Sequence, residues 1–482
     1  MISLELRPKK AVGLTDQKLL RLLIGRNPRD ILKDKTKEIL DMRYSWYVLV
    51  ILTLSFAVSF IDRQVLTLLI EPIKSDLNIS DTEVSLLIGL AFSLFYISMA
   101  IPIARLVDKG NRINIIATGV FFWSIMTGLC GFAKNYWQLF IARMGVGVGE
   151  ATLTPAVYSL IPDYFPKNKL GTAVGFYMLG MSLGTGFALV LGGAILSYVN
   201  SIGDITIPLI GSLRPWQVTF VIVGFPGVLL ALLIKLSIRE PSRRNIFEDN
   251  SVDMSEVTII PFLKSNFKTM TCIIVAYSFG GMVFYGFLTW IPEHLRRAFE
   301  WDISNAGYVF GLLLATLGSL GAVLGGRFHD YVYSKGYKDA PIRCALIIFS
   351  LLLPIMVITP LAKSSEVSII MLGIFSFTMF LQQAMSPVAI QMIAPNHIRA
   401  QVVAIFFFVS SFFSIAVGPT IVAIFTDYIF MDESKLYLSI SLVAMIFLPF
   451  CILSLSLCLK PFRDSVDNAN KVSPLTETIS SI

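Results

Sequence analysis

Twelve long apolar stretches dominate this chain of 482 residues. A helix needs about 20 apolar residues to cross the hydrocarbon layer of a bilayer. Hydrophobic residues make up 55% of the chain and charged residues 15%, a balance that soluble globular proteins of this size do not have. The pattern therefore predicts an all-α membrane protein. The candidate spans are 45–71, 84–107, 113–132, 136–162, 169–199, 215–237, 268–292, 304–328, 341–361, 366–394, 398–427 and 435–459.

Lysine and arginine are concentrated on one side of the predicted membrane. Residues 1–44 contain eleven of them, and the loops after every second span carry more, whereas the opposite loops carry mostly acids. Because basic loops stay in the cytoplasm, this bias predicts that both termini lie there. The net charge of +7 is thus explained by topology, and we expect no nucleic-acid partner. The first forty residues lack the apolar core of a cleavable signal peptide, so none is expected.

The chain is predicted to consist of two six-span halves in the same order. A loop with an aspartate and basic residues follows both span two and span eight, with Asp108 and Asp330 separated by 222 positions. Parallel halves with a site between them at mid-membrane are a known transporter plan. The predicted domains are an amphipathic cytoplasmic segment (1–44), a first bundle (45–237), a cytoplasmic linker (238–267), a second bundle (268–460) and a disordered cytoplasmic tail (461–482).

Four ionisable residues lie deep inside predicted spans of the first half. Asp62 and Arg63 are in span one, and Arg143 and Glu150 are in span four, seven residues apart and so on one helix face. Charges at this depth are costly and usually mark substrate or proton pathways. A carboxylate beside an arginine stays ionised and protonates when the arginine is removed, so a switchable proton site is predicted. The alternative is a static ion pair that fixes helix packing.

The first half resembles a known family. The stretches that carry the resemblance are Asp62-Arg63-Gln64, Glu71-Pro72-Ile73-Lys74, Arg143 through Thr152, and Phe176-Tyr177 with Gly180, Gly184 and Gly186. Together with the two-half plan, they are similar to the major facilitator superfamily and, over residues 45–235, to its Spinster-like branch, which has bacterial members. The second half is similar mainly in plan and in Gly418-Pro419.

The resemblance implies a facilitated or proton-coupled transporter made of two six-helix bundles, in the inner membrane of a bacterium. Eukaryotic Spinster proteins move lysophospholipids and sphingolipid phosphates. The resemblance also implies that Asp62, Arg143 and Glu150 form the coupling and gating site. One departure lies in span five, where the usual Gly-Pro of the superfamily is Gly184-Thr185. An antiporter assignment based on that motif therefore does not carry over.

Charged residues also flank the predicted cytoplasmic ends of spans two and eight. Asp108, Lys109 and Arg112 follow span two, and Asp330 holds the equivalent place in the second half. An acid in one half can pair with a base or a helix N-terminus of the other half in one state only. We interpret these residues as a cytoplasmic gate. The alternative is a set of solvated loops that obey the positive-inside rule.

The second half has no acid or base in the middle of its spans. Its candidates for lining a cavity are Tyr277, Tyr285, Gln382 and Gln383, with one of the glutamines predicted opposite Glu150. The alternative is that these side chains bond neighbouring helices. The sequence has no nucleotide motif, catalytic triad or metal-ligand spacing, so we expect no enzyme activity, no cofactor and no metal site.

The predicted substrate is an amphipathic anion such as a lysophospholipid or a sphingolipid-like molecule. Its head group would lie at Arg143, with Arg63 as a further cavity candidate, and its chain would lie along the aromatic second half. The alternatives are a small organic anion such as a sugar acid, and an amphipathic drug that is exported. A receptor or scaffold would not need a series of buried ionisable groups. The expected partners are the substrate, protons and membrane lipids, and we expect a monomer.

Overall fold

The computed structural model of this chain describes residues 28–165, 170–207, 211–242, 259–383, 385–395 and 398–479. Most of the predicted amphipathic segment 1–44 and the middle of the predicted linker 238–267 lie outside these ranges. The helices are α1 Pro28–Leu68, α2 Ile70–Leu77, α3 Asp81–Ile88, α4 Leu90–Lys109, α5 Arg112–Cys130, α6 Tyr136–Glu150, α7 Leu153–Tyr164, α8 Leu170–Ile202, α9 Pro215–Ser237, α10 Ile259–Ser265, α11 Phe267–Phe299, α12 Ile303–Leu313, α13 Ser319–Ser334, α14 Ala340–Ile358, α15 Ser365–Leu381, α16 Met385–Ile393, α17 Arg399–Ser411, α18 Gly418–Ile424 and α19 Leu436–Ile479.

Short irregular elements join some of these helices. Three π-helical turns extend them, at Leu314–Gly318, Phe412–Val417 and Phe425–Phe430, and two 3-10 turns lie at Thr359–Leu361 and Glu433–Lys435. A small antiparallel hairpin of β1 Ile205–Ile207 and β2 Gly211–Leu213 connects α8 to α9, with Thr206 opposite Ser212.

Eleven helical segments of the described residues are long and apolar enough to cross a membrane. They match eleven of the predicted spans. The remaining one, 136–162, is divided between α6 and α7. Pro155 has no N–H to donate to the carbonyl of Ala151, and the Thr152 hydroxyl donates to the carbonyl of Gly149 at 2.8 Å. The fourth span is therefore two consecutive helices.

The predicted architecture of two six-span bundles is confirmed. Helices α1–α9 form the first bundle, in which α1 packs against α8 and α5 packs against α6 and α9. Helices α11–α19 form the second, in which α19 packs against α11 and α14. The bundles meet where α8 contacts α12 and where α3 contacts α18. A Cβ atom on Gly186 of α8 would lie 2.6 Å from the backbone nitrogen of Ala315, so the close approach of α8 requires glycine there.

Both long terminal helices extend beyond the predicted spans. α1 begins at Pro28, and α19 continues through Ile479. We expected residues 461–482 to be disordered, but the described part of this tail is helical. Phe462 and Val466 explain the start of the extension, because both side chains are buried against the second bundle.

Candidate functional site

The four ionisable residues predicted from the sequence come together inside the first bundle. Asp62 and Arg63 lie on α1, and Arg143 and Glu150 lie on α6. Asp62 is fully buried, Arg143 and Glu150 are each 1% exposed, and the Arg63 side chain is 12% exposed. The site therefore excludes bulk water almost completely, and its charges act on one another with little screening.

Arg63 pairs with Glu150 across α1 and α6. Its Nε donates to Glu150 Oε2 at 2.6 Å, and its Nη2 contacts the same oxygen. The guanidinium also lies 5.0 Å from the ring centre of Phe60, 4.5 Å from that of Phe92 and 4.9 Å from that of Tyr96. Aromatic ring faces attract a cation, so they hold Arg63 in place from the sides that Glu150 does not cover.

Arg143 binds backbone carbonyls instead of a carboxylate. Its Nη1 donates to the carbonyl of Asp62 at 3.3 Å, and its Nε donates to that of Leu87 at 3.5 Å. Its guanidinium lies 5.6 Å from the ring centre of Phe92. Arg143 therefore ties α6 to α1 and α3, and its charge lies near the Asp62 carboxyl group without bonding to it.

The Asp62 carboxyl group has no hydrogen-bond partner for either oxygen among the residues that the structure describes. The side chains of Trp123 and Thr127, on α5, lie next to it. A buried carboxylate without direct partners is costly in free energy, whereas the protonated acid carries no charge. The setting of Asp62 is therefore suited to a group that takes up and releases a proton.

A cavity between the two bundles reaches this site. Its lining in the first bundle is Arg63, Gln64, Ile88 and Phe92, and its lining in the second bundle is Tyr285, Thr289, Ile415 and Pro419. Two of the predicted cavity residues, Arg63 and Tyr285, line this space. Arg143 lies behind Arg63, in contact with backbone, and does not belong to the lining.

The other predicted cavity residues lie elsewhere. The Tyr277 ring packs against Phe349 and Phe406, with ring centres 6.0 and 5.8 Å away, inside the second bundle. Gln383 Nε2 lies 2.9 Å from the Met181 sulfur of α8, so this side chain meets the first bundle across the interface. Gln382 Oε1 is buried without a partner in the described part of the chain.

Three of the predicted gate residues have described side chains, namely Lys109, Arg112 and Asp330, and none of these pairs across the two bundles. Arg112 is buried and binds within its own half, with Nη1 2.5 Å from Asp163 Oδ2 and Nε 2.6 Å from Glu240 Oε1. Lys109 is exposed, and the side chain of Asp330 is 83% exposed beside His329. Asp108 lies in the last turn of α4, and its side chain is outside the described part.

The opposite end of the bundles carries an extensive set of ion pairs between the halves, which we call the inter-half ion cluster. Its members are Glu71, Lys74 and Asp81 of the first half and Glu293, Arg296, Arg297 and Glu433 of the second. Lys74 Nζ lies 2.5 Å from Asp81 Oδ1 and 2.8 Å from Glu433 Oε1. Arg297 Nη1 lies 2.7 Å from Asp81 Oδ2, and Arg296 Nη2 lies 2.9 Å from Glu71 Oε2. The cluster therefore holds the two halves together at this end.

The centre of the cluster is buried and charged. Asp81 is fully buried and Glu293 is 1% exposed. Burial acts to lower the pKa of the Lys74 ammonium, but the Asp81 carboxylate and the hydrogen bonds raise that pKa above its ordinary value. Lys74 is therefore charged at neutral pH, and its pairing strengthens contact between the halves.

A further contact at the same end joins the second half to the N-terminus of α3. Asp427 Oδ2 accepts hydrogen bonds from the backbone nitrogen and the hydroxyl of Thr82, both at 2.7 Å. A carboxylate is favourable at a helix N-terminus because the first N–H groups are unpaired. Sequence patterns did not predict the contacts between the halves at this end of the protein. The sequence does contain a signal for these contacts. The basic pair Arg296-Arg297 ends the first span of the second half, and acids follow the first span of the first half at the equivalent place.

Comparison with known proteins identifies one family and several similar transporters. The model of the Major Facilitator Superfamily matches residues 52–419. An MFS-type efflux pump of Mycolicibacterium smegmatis is 26% identical over 80% of this chain and 85% of its own length. The probable galactarate/D-glucarate transporter GudP of Bacillus subtilis is 28% identical over 64% and 70%, respectively. The sphingosine-1-phosphate transporter SPNS2 of Danio rerio is 24% identical over 78% and 75%.

Solved structures agree with this fold. A bacterial homologue of the human lysosomal transporter Spinster, in an inward-facing and unoccupied conformation, superposes with a TM-score of 0.74. That match covers 88% of this chain and 98% of the homologue at 24% identity.

Proposed function

Because this chain belongs to the major facilitator superfamily and is a transporter, not an enzyme, we propose that it moves an amphipathic anion by proton-coupled alternating access. The observation that carries the proposal is the buried Asp62 carboxyl group, which lies without a direct partner beside the Arg63–Glu150 pair and its cavity. An acid in the middle of a membrane helix needs a function to offset its cost.

The proton step follows from the setting of Asp62. In the geometry described above the protonated acid is favoured, because no side chain binds the carboxylate directly. A rearrangement that lets water reach Asp62, or brings the Arg143 guanidinium onto it, stabilises the carboxylate and releases the proton. Asp62 thus carries a proton in one state of the transporter and loses it in another.

The substrate step uses Arg63. Arg63 lines the cavity, so we assign the head-group contact to it in place of Arg143, our sequence-based choice. An anionic head group and the Glu150 carboxylate compete for the same guanidinium. Protonation of Glu150 would free Arg63 for the anion, and this competition couples proton uptake to substrate binding.

The rest of the cavity suits an amphiphile. Ile88 and Phe92 face Ile415 and Pro419 across the space, while Tyr285 and Thr289 offer hydroxyl groups. An acyl chain is stabilised by the apolar wall and a polar head by the arginine. We propose a lysophospholipid or a sphingolipid-like anion as the substrate, which agrees with the similarity to the sphingosine-1-phosphate transporter.

A small organic anion is the second candidate. Similarity to the galactarate/D-glucarate transporter favours it, and a sugar acid offers a carboxylate for Arg63 and hydroxyl groups for Gln64 and Thr289. An exported amphipathic drug is a third possibility, supported by the similarity to an efflux pump. The two anion classes differ in how much binding free energy the apolar wall contributes. The wall stabilises an acyl chain, whereas a sugar acid has no such chain and gains little from it.

We further propose that the inter-half ion cluster closes the extracellular end and that this structure is inward-facing. The bias of basic residues puts the termini in the cytoplasm, so the cluster lies outside. The superposed Spinster homologue is also described as inward-facing. The protein would act as a monomer in the inner membrane of a bacterium, with membrane lipids around it.

The test combines binding with transport on the purified, full-length protein. A thermal-shift screen compares lysolipids with sugar acids, since a ligand that binds the folded state raises the midpoint of unfolding. Proteoliposomes with and without a pH gradient then measure transport of the better ligand. Asp62→Asn should remove gradient dependence, while Asp204→Asn, at an exposed acid, serves as the matched control. Unchanged gradient dependence in the Asp62 variant would overturn the proton role.

A further inference from the structure

Two polar side chains of α5 face Asp62 and take no part in the site predicted from the sequence. Trp123 and Thr127 are four residues apart, so they lie on one face of the helix. Both are fully buried, and both lie next to the Asp62 carboxyl group. The indole Nε1 and the hydroxyl Oγ1 have no hydrogen-bond partner within the described ranges.

The Thr127 hydroxyl differs from other hydroxyl groups in these helices. Ser124, on the same helix, donates to the carbonyl of Val120 at 2.7 Å, and Thr219 of α9 donates to that of Pro215 at 2.9 Å. Such a bond to the preceding turn satisfies a buried hydroxyl locally. Thr127 does not make it, so its hydroxyl remains free to donate to Asp62.

Two unpaired donors therefore lie beside two unpaired acceptor oxygens. Buried polar atoms without partners are rare, because each one costs free energy. The coincidence of four such atoms at one place has a simple physical explanation if they bond to one another in the charged state of the acid. A carboxylate accepts hydrogen bonds from an indole N–H and a hydroxyl, and these bonds favour its ionised form.

We propose that Trp123 and Thr127 are positioning residues for the Asp62 proton site, which donate to the Asp62 carboxylate when it loses its proton. This proposal rests on the proposed role of Asp62 in proton coupling. The other groups that act on Asp62 are Arg143 and Glu150 from α6 and the Cys130 thiol from α5. Arg143 favours the carboxylate by its charge and Glu150 opposes it, so the α5 donors add to the effect of Arg143.

The glycine-rich stretch of α6 places Trp123. A Cβ atom on Gly149 would lie 2.7 Å from the Trp123 Cβ and 2.8 Å from its backbone nitrogen. No other residue allows α6 to approach α5 so closely at this level. The position of the indole next to Asp62 thus depends on Gly149, one residue before the acid Glu150.

The test is the pH profile of proton-linked transport for the full chain in proteoliposomes. Thr127→Val keeps the shape of the side chain and removes the hydroxyl, whereas Thr127→Ser keeps the donor. Thr219→Val is the matched control, since that buried hydroxyl binds only its own helix. Loss of a donor to a carboxylate should move the midpoint of Thr127→Val to higher pH by about one unit. Thr127→Ser and Thr219→Val should stay close to wild type.

A spectroscopic readout separates this proposal from the proposed function. The infrared band of the protonated Asp62 carboxyl group, identified by its loss in Asp62→Asn, is followed across a pH series in Thr127→Val and Trp123→Phe. Both variants should titrate at higher pH than wild type. If Asp62→Asn abolishes coupling but Thr127→Val titrates like wild type, the positioning role is wrong and the proton role stands. If Asp62→Asn leaves coupling intact, the proposed function itself fails.

Discussion

The two bundles have the same helical plan but different chemistry in their interiors. At mid-depth the first contains Asp62, Arg63, Arg143 and Glu150, with the two acids almost inaccessible. At the corresponding depth the second buries neutral side chains such as Tyr277 and Phe284. Among its buried charges, Glu293 and Arg297 lie at the end that contacts the first bundle, whereas Asp339 pairs with Arg343 and Arg463 within the second bundle itself.

A coupled transporter must link proton transfer to substrate binding, and the two bundles differ in which of these tasks their side chains suit. In the proposed mechanism, the groups that change protonation lie in one half, where the helices of that half shield them from lipid. The other half supplies an apolar wall and the charged residues that join the halves at one end. Arg63 connects the tasks, because it binds Glu150 on one side and lines the shared cavity on the other.

The largest expected effect comes from removing the acid that most distinguishes the first bundle. Asp62→Asn is nearly isosteric and lacks the titratable group, so gradient-driven transport should fall to the level of empty proteoliposomes while the protein remains folded. Circular dichroism and the unfolding midpoint check the folding. Transport that still responds to the pH gradient would mean that proton coupling does not reside in this half.

Removal of one partner of the Arg63–Glu150 pair should have the next largest effect. A buried ion pair that loses one partner leaves an unpaired charge, at a cost of about 3–5 kcal/mol. Arg63→Gln and Glu150→Gln should each lower stability by this order, and the double variant should recover more than half of the loss. Chemical denaturation in detergent measures the difference.

The control for that experiment is an exposed pair in the second bundle. Lys338 Nζ lies 2.5 Å from Asp467, with both side chains about half exposed. Exposed pairs contribute about 1 kcal/mol or less, so Lys338→Gln should change stability little. Equal losses for the two pairs would remove the contrast between a buried charge site in one half and surface charges in the other.

Some of these features could be predicted from the sequence and others could not. The spans and the depth of Asp62, Arg63, Arg143 and Glu150 follow from local hydropathy, so the sequence is sufficient for them. The pairing of Arg63 with Glu150 depends on how α1 and α6 rotate about their axes, which hydropathy does not determine. The positions of the charged residues in the sequence therefore do not show which residues pair with one another.

Contacts between the two bundles are also not determined by local hydropathy. The inter-half ion cluster pairs Asp81 with Arg297 and Lys74 with Glu433, in both cases more than 200 positions later in the chain. Only the docking of the two bundles brings these residues together. Tyr285 lines the cavity and Tyr277 does not, although both lie on α11, because the Tyr277 ring packs against Phe349 and Phe406 inside the second bundle.

An intermediate effect is expected at the ends where the halves meet. Arg297→Gln removes contacts to Asp81 and Glu293, so the state in which this end is closed loses stability relative to its alternative. We expect at least a tenfold shift toward opening at this end, about 1.4 kcal/mol. Pairs of spin labels at the two ends of the bundles report the shift as a change in distance distribution.

A control variant at the same end of the bundles and two variants at the opposite end test whether the shift is specific to the inter-half ion cluster. Arg214→Gln is the control at the same end, because Arg214 pairs with Asp76 inside the first bundle. It should leave the distribution unchanged. Asp108→Asn and Asp330→Asn test the predicted cytoplasmic gate and should shift the population in the opposite direction, toward opening at the end that holds the termini. Identical distributions in these two variants and wild type would show that neither acid takes part in a gate.

The smallest effect per step concerns the apolar wall of the cavity and tests the substrate class. Binding of lysolipids with one head group and increasing chain length should strengthen by about 0.8 kcal/mol per added CH₂ until the cavity is full. Isothermal titration below the micelle threshold measures this series. Ile415→Ala reduces the apolar wall that the second bundle contributes, so it should flatten the dependence on chain length, whereas Arg63→Gln should weaken every member of the series equally. A flat series in the wild type, with tight binding of a sugar acid, would show that the second bundle does not accommodate an acyl chain and would favour the organic-anion candidate.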